Sequence, residues 1–254
     1  MNTSVQAISL SGLILAFSPT LIVISILFRW SLDARTALYA VARMLMQLLL
    51  IGYILMYIFS ADHPGIIIFV TTVMLVAASW IALRPLKNKQ PHLYWKALGA
   101  ILLGGVPILA LVTQVVLNIQ TWFLPRYFIP LAGMIFASCM NTVSVAAERF
   151  EAECAKAIPY SEARNIALQA SLIPVTNSLF AVGLVSLPGM MTGQILSGIS
   201  PLVAVQYQIV VMCMIFGASG LSSTIYLVLV KGRPKITGDA RSVKALLQVL
   251  LRPR

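Results

Sequence analysis

The chain has 254 residues, 59% of them hydrophobic and only 10% charged, and its 18 Lys and Arg against 7 Asp and Glu leave a formal charge of +11. A soluble domain needs roughly a quarter of its residues charged to solvate its surface, so the composition excludes a soluble enzyme. At about 20 residues per membrane crossing, seven crossings and their loops use nearly the whole length and leave no room for a separate catalytic domain.

Apolar runs long enough to cross a bilayer occur at 7–28, 37–59, 66–83, 97–117, 127–146, 173–197 and 202–230. Each is bounded by charges, prolines or a Gly/Ser cluster. They lack the alternating polarity of barrel strands, and a helix satisfies its own backbone in lipid. The expected fold is an all-α integral membrane protein, a single transmembrane domain over 1–254 built as a bundle of about seven transmembrane helices. The first run has no basic segment before it and no Ala-x-Ala site, so it reads as a retained span and not a signal peptide. Three cysteines, Cys139, Cys154 and Cys213, are odd in number and imply no disulfide framework.

Basic residues set the orientation. With the N-terminus outside and the C-terminus cytoplasmic, the inner loops hold Arg29 and Arg35; Arg84, Lys87, Lys89 and Lys96; Arg149, Lys156 and Arg164; and the basic residues of a tail at 231–254. Arg126 alone falls outside, and Arg43 within a span. The net charge then follows from topology against anionic lipid, and no nucleic-acid partner is needed. Within the tail, 242–251 has apolar residues at helical spacing beside Lys244 and Arg252. It reads as a short helix on the inner leaflet, with a frayed basic tail as the plainer alternative.

Arg43 is the only charge in the spans, so an ion-coupled carrier has no ionisable relay to work through. It either snorkels to the interface or lines a pathway with Gln47, one turn further in. No G-x-x-x-x-G-K-[ST] phosphate loop occurs. Any ATP must therefore be used by a separate subunit, and this chain is expected to bind no cofactor and to be no enzyme.

One inner segment breaks the basic pattern. The stretch 147–172 holds Glu148, Glu151, Glu153 and Glu162 against Arg149, Lys156 and Arg164, and is nearly neutral. Helical sequence continues to Ala157, is punctuated at Pro159, and restarts after Ser161 as an N-cap. A helix–break–helix between spans suits docking into a partner's groove; a solvated stalk is the alternative.

The run 173–197 concentrates Pro174, Gly183, Pro188, Gly189 and Gly193. Pro188 is expected to remove a helix hydrogen bond in mid-membrane, and Gly189-x-x-x-Gly193 to admit a close helix neighbour. This run is the candidate pathway wall or dimer seam, with Met190, Met191 and Gln194 on it and Gln206 and Gln208 on the last span as a polar lining. Soft sulfur also gathers at Met134, Cys139, Met140, Met190, Met191, Met212, Cys213 and Met214. Such atoms can bind Cu(I) but fill apolar cores equally well, and packing is the preferred reading.

The block SLPGMM (186–191) sits within VGLVSLPGMMTGQILSGISPLVAVQYQIVVM (182–212). Together with RMLMQLLLIGYILMYIF (43–59) and IPLAGM (129–134), it resembles the FetB/YbbM-type ABC transporter permeases. The resemblance implies a permease subunit in a bacterial inner membrane that pairs with a separate ABC ATPase subunit, as two permeases with two ATPases. It also implies a role in iron export and oxidative-stress resistance, while plant relatives are linked to aluminium tolerance. The chain departs from the family where Ala137 and Ser138 replace Gly-Asn, and Ala157 stands where permease coupling loops commonly carry glycine. Iron poses a chemical difficulty, because Fe²⁺ prefers imidazole and carboxylate ligands and the spans offer neither. Asp62 and His63 together could receive a cation, although a Pro-Gly turn accounts for them as well. The metal passes through weak oxygen contacts, or travels as a complex, or is not the direct substrate. An energy-independent channel or a membrane scaffold is the alternative to an ABC permease.

Overall fold

The computed structural model of the chain describes residues 8–231, except 59–62, 87–89, 120–123 and 157. The expectations for Asp62, Lys87, Lys89, Ala157 and the tail helix at 242–251 lie outside the described residues. The chain divides into two compact units, Met1–Asp62 and His63–Arg254.

In the first unit, α1 (Leu10–Ala16) and α2 (Ser18–Arg29) share the first apolar run, and α3 (Ala34–Ile58) takes the second. Ser9 opens α1 by accepting the Gly12 amide at 3.2 Å. Pro19 lies in the first turn of α2, where its missing N–H forfeits no hydrogen bond. Ser31, at φ 56°, turns the chain out of α2, and Asp33 caps α3 by accepting the Thr36 amide at 3.0 Å. Both long stretches are apolar enough to cross a membrane, and neither is buried within this chain. Helices that are apolar all round need lipid or another apolar surface about them.

The second unit comprises α4 (Pro64–Ala82), α5 (Pro91–Ala110), α6 (Pro125–Ala155), α7 (Tyr160–Ala181), α8 (Gly189–Leu196) and α9 (Pro201–Leu229). Proline opens α4, α5, α6 and α9, because its fixed φ suits a first helical turn. His63 caps α4 through Nδ1, which accepts the Gly65 amide at 3.1 Å, so its ring serves the turn. Pro107 lies inside α5, and the helix widens into a π turn at Leu111–Val116. There the Thr113 hydroxyl donates to the Leu109 carbonyl at 2.9 Å.

α9 packs against α5, α6, α7 and α8. At one crossing the backbones of α5 and α9 nearly touch: a Cβ at Gly104 would stand 2.5 Å from the Ser222 amide nitrogen and 2.7 Å from its Cα. Gly105 likewise admits Ile135 of α6, whose Cγ2 would lie 3.0 Å from an added Cβ. Between helices in lipid, such close van der Waals packing and shared polar groups replace the hydrophobic effect. The Ser138–Ser219 hydroxyl pair, 2.7 Å apart, joins α6 to α9.

Among the described residues, six stretches are long and apolar enough to cross a membrane: Leu10–Arg29, Ala34–Met56, Pro64–Ala82, Pro91–Val116, Pro125–Ala155 and Pro201–Leu229. They correspond to six of the seven apolar runs. The run 173–197 is not one helix, so it does not form the seventh transmembrane helix expected, although the break at its Pro/Gly-rich part agrees with the sequence reading. It is divided between the end of α7, a turn, and α8. Val185 N donates to Ala181 O at 2.8 Å and Gly183 N to Ser186 O at 3.0 Å. Gly183 sits at φ 83°, a left-handed value that favours glycine. Pro188 therefore breaks no hydrogen bond in mid-helix. It stands at the N-cap of α8, where a missing N–H is tolerated.

The Gly104 crossing makes a direct prediction. Gly104→Leu overpacks a backbone contact and is expected to cost about 3 kcal/mol or more, preventing recovery of folded protein from membranes. Gly99→Leu, where an added Cβ meets nothing within 4 Å, should leave size-exclusion profiles and thermal melts in detergent unchanged. Equal behaviour of the two variants would contradict the crossing.

Candidate functional site

Three helices of the second unit repeat one spacing. Met134, Ser138, Asn141, Thr142 and Val145 on α6 recur at three- and four-residue steps. So do Ser171, Pro174, Val175 and Ser178 on α7, and Gln208, Val211, Met212 and Ile215 on α9. Each set therefore shares one helical face. The three faces meet at a cavity of about 460 Å³. It is bordered by the α7–α8 turn and the start of α8 through Val182, Ser186, Pro188, Gly189 and Met190, and is open to one side.

Among the described residues, no charged side chain lines this cavity. Ser178 Oγ donates to the Pro174 carbonyl at 3.0 Å and Ser171 Oγ to the Leu168 carbonyl at 2.8 Å. Thr142 Oγ1 donates to the Ser138 and Cys139 carbonyls at 3.1 and 3.2 Å. Gln208 is only 6% exposed, and its Oε1 is buried without a hydrogen-bond partner. An unpaired buried acceptor costs about 1–3 kcal/mol, so water or a ligand is expected there. A second void of about 30 Å³ is lined by Arg126, Tyr127 and Tyr207, and shares Met190 and Val211 with the first. Met190 thus stands between the cavity and the end of the bundle where α6 begins. Among the described residues, no three His, Cys, Asp or Glu side chains gather in a group able to hold a metal ion.

Of the pathway candidates read from sequence, Pro188, Gly189, Met190 and Gln208 line the cavity. Met191, Gly193 and Gln194 lie on α8 outside its lining, although Gln194 Oε1 is also buried without a partner. Gln206 is exposed, because two residues along a helix point to a different side. Arg43 and Gln47 lie one turn apart on α3 in the first unit. The close approach expected at Gly189-x-x-x-Gly193 is absent within the chain, since a Cβ at either glycine would meet nothing within 4 Å. Sequence reading does not single out Asn141, Thr142, Ser171 and Ser178, which are uncharged and unremarkable one by one. Their signal is the spacing shared across three runs.

The acidic segment folds as an elbow at the other end of α6. The 31 residues of α6 extend about 46 Å, beyond the roughly 30 Å apolar layer of a bilayer. α7 restarts at Tyr160, ahead of the Ser161 cap expected from sequence, with an exposed Pro159 at its N-cap position. The Tyr160 ring meets Phe150 edge to face at 5.9 Å, and its hydroxyl donates to the Leu227 carbonyl of α9 at 3.0 Å. Arg164 and Lys231 lie 5.8 and 5.9 Å from the ring centroid, within cation–π range.

The four acids of the elbow are not equivalent. Glu153 is buried and pairs with Arg149 at 2.8 Å and Lys156 at 3.0 Å. Arg149, Glu153 and Lys156 all belong to the end of α6, so the pair closes the last turns of that helix, and the burial of Glu153 turns it away from the surface where a partner was expected. Glu148 and Glu162 are exposed, and Glu151 is half-buried. Glu162 also lies in the first turn of α7, where the helix dipole favours a carboxylate.

Residues 10–164 and 157–233 match an uncharacterised protein family, UPF0014. The chain is 38% identical over 204 residues to the UPF0014 membrane protein slr1647 of Synechocystis sp., covering 73% of this chain and 78% of that protein. It is 35% identical over 201 residues to Protein ALUMINUM SENSITIVE 3 of Arabidopsis thaliana, covering 73% and 72%. Over 230 residues it is 30% identical to the protein of Escherichia coli named "Probable iron export permease protein FetB", covering 83% and 87%. No solved structure matches the chain.

The contrast between Glu153 and Glu151 is measurable without any partner. Glu153→Lys places a third cation beside Arg149 and Lys156 in a buried position and should lower stability by about 3–5 kcal/mol. Glu151→Lys should change it by about 1 kcal/mol or less. Thermal melts of the purified variants check this, and a tolerated Glu153→Lys would contradict the buried pair.

Proposed function

Because the chain belongs to the UPF0014 family of membrane proteins, we propose that it is the permease subunit of an ABC transporter, exporting a metal across a bacterial inner membrane. Iron is the first candidate cargo, from the name of the Escherichia coli relative. The observation that carries this reading is α7. One helix of 22 residues begins at the acidic elbow with Tyr160 and Glu162 and ends in the cavity wall with Ser171, Pro174 and Ser178. A displacement applied at the elbow therefore reaches Ser171 along unbroken helix, ahead of the interior Pro174.

In this reading the elbow and the basic tail face the cytoplasm and the N-terminus lies outside. The exposed Glu148 and Glu162, with the half-buried Glu151, meet a separate ATPase that binds and hydrolyses the ATP. The permease itself carries no cofactor and catalyses no reaction. Two permeases act with two ATPases, and the open glycine face of α8 at Gly189 and Gly193 supplies the seam between copies. With no phosphate loop in the sequence and no charge in the cavity lining, the work of transport comes from the partner.

The test is association and transport with the ATPase. Glu148→Arg combined with Glu162→Arg should lower copurification of the ATPase at least tenfold, while the melting temperature of the permease stays within a degree or two. Arg84→Glu, away from the elbow, should leave association intact. Undiminished association of the elbow variant would remove the elbow from the interface. Metal efflux from proteoliposomes that proceeds equally without ATP would replace the transporter with a channel.

A further inference from the structure

We infer that the pocket between the end of α4 and the start of α5 holds the headgroup of an anionic phospholipid, with an acyl chain laid along α4. The site is separate from the α6–α7–α9 cavity and does not depend on what the protein transports.

The pocket measures about 420 Å³ and is open to one side. In its lining, Leu83, Leu86 and Leu93 are buried and apolar, Trp80 and Tyr94 bring aromatic rings, and Arg84 and Gln90 bring polar groups. It lies where one membrane-length helix ends and the next begins. That is the level of the lipid headgroups, where Trp and Tyr are favoured. Arg84 is half-buried and pairs with no carboxylate among the described residues. Neither helix carries an acid, since the sequence has no Asp or Glu from His63 to Ala147. A guanidinium held partly out of water needs a counter-charge, and its planar fork fits two oxygens of a phosphate. Gln90 stands at the N-cap of α5 without a side-chain capping bond, so its amide N–H groups serve the same phosphate. The lack of acids also selects the headgroup. The ammonium of a zwitterionic lipid finds no carboxylate on α4 or α5, and an anionic lipid needs none.

The apolar part of the ligand has a track of its own. Phe69, Val73, Val76 and Trp80 of α4 are all exposed, and steps of four, three and four residues put them on one face of the helix. Arg84 follows four residues after Trp80. From Phe69 to Trp80 the stripe runs about 16 Å, half of the roughly 30 Å apolar layer, which is the reach of an acyl chain within one leaflet. A second copy of the chain fits this face less well, because its own α4 and α5 bring no carboxylate to meet Arg84. A phospholipid covers the stripe and neutralises the cation together.

Native mass spectrometry of the full-length protein in neutral detergent tests this, with dioleoylphosphatidylglycerol and dioleoylphosphatidylcholine as the probes. The phosphatidylglycerol adduct should half-saturate at a concentration at least fivefold lower than the phosphatidylcholine adduct, and excess inorganic phosphate should not displace it. Arg84→Gln should abolish that preference. Arg35→Gln, which removes an exposed cation of the first unit, should keep it. Trp80→Ala should weaken both lipids about threefold; should it fail to fold, the milder Arg84→Gln decides alone. Equal affinity for the two lipids overturns the inference, as does displacement by phosphate. So does a preference that survives Arg84→Gln or falls equally with Arg35→Gln. A disulfide between copies at Val76→Cys, in a chain carrying Cys139→Ala, Cys154→Ala and Cys213→Ala, would put a second chain on the stripe and overturn it too.

Discussion

Everything in the second unit is arranged about the place where Gly104 lets the backbone of α5 press against Ser222 of α9. In lipid, helices gain little from excluding solvent, so contact must come from shape. A residue without a side chain is what allows the two backbones to close. That contact belongs to the half of α9 where Ala218, Ser219, Ser222 and Ser223 are buried and small. The Ser138–Ser219 hydroxyl pair draws α6 onto the same half. The other half of α9, from Gln208 to Ile215, faces the cavity. One helix thus packs against α5 and α6 along its later turns and borders the cavity along its earlier ones.

α7 uses the same division in reverse. Its first turn is held by Tyr160, whose ring packs on Phe150 and whose hydroxyl reaches the Leu227 carbonyl. Its last turns border the cavity and run into a turn, not into further helix. In the proposed reading a shift at the elbow travels along α7 to Ser171 and, beyond Pro174, to Ser178. The buried Glu153 pair closes the last turns of α6, while Glu148 and Glu162 are exposed.

The membrane class and six of the spans were legible in composition, because apolar length alone identifies a helix in lipid. The rest depended on contacts between residues distant in the chain. Gly189-x-x-x-Gly193 has the familiar spacing but no close neighbour within this chain, whereas Gly104 has no motif about it and a partner far along the sequence. Pro188 reads equally as a kink or as a helix start; the bonds around Gly183 decide for the second. Glu151 and Glu153 look alike in sequence, yet only Glu153 points inward. The cavity was half legible: Gln208, Pro188, Gly189 and Met190 stood out by type. Ser171, Ser178, Asn141 and Thr142 emerge only when three helical faces are compared.

The central claim is that the α6–α7–α9 cavity is wet and lies on the path of the cargo, and thiol accessibility measures it most directly. In a chain carrying Cys139→Ala, Cys154→Ala and Cys213→Ala, single cysteines are introduced by Ser178→Cys in the cavity wall and by Leu221→Cys. Leu221 is 47% exposed on α9 and lies outside the cavity lining. A small, charged methanethiosulfonate reagent should modify the Ser178→Cys protein at least tenfold faster than the Leu221→Cys protein. Equal and slow modification of the two would show the cavity dry and contradict the account.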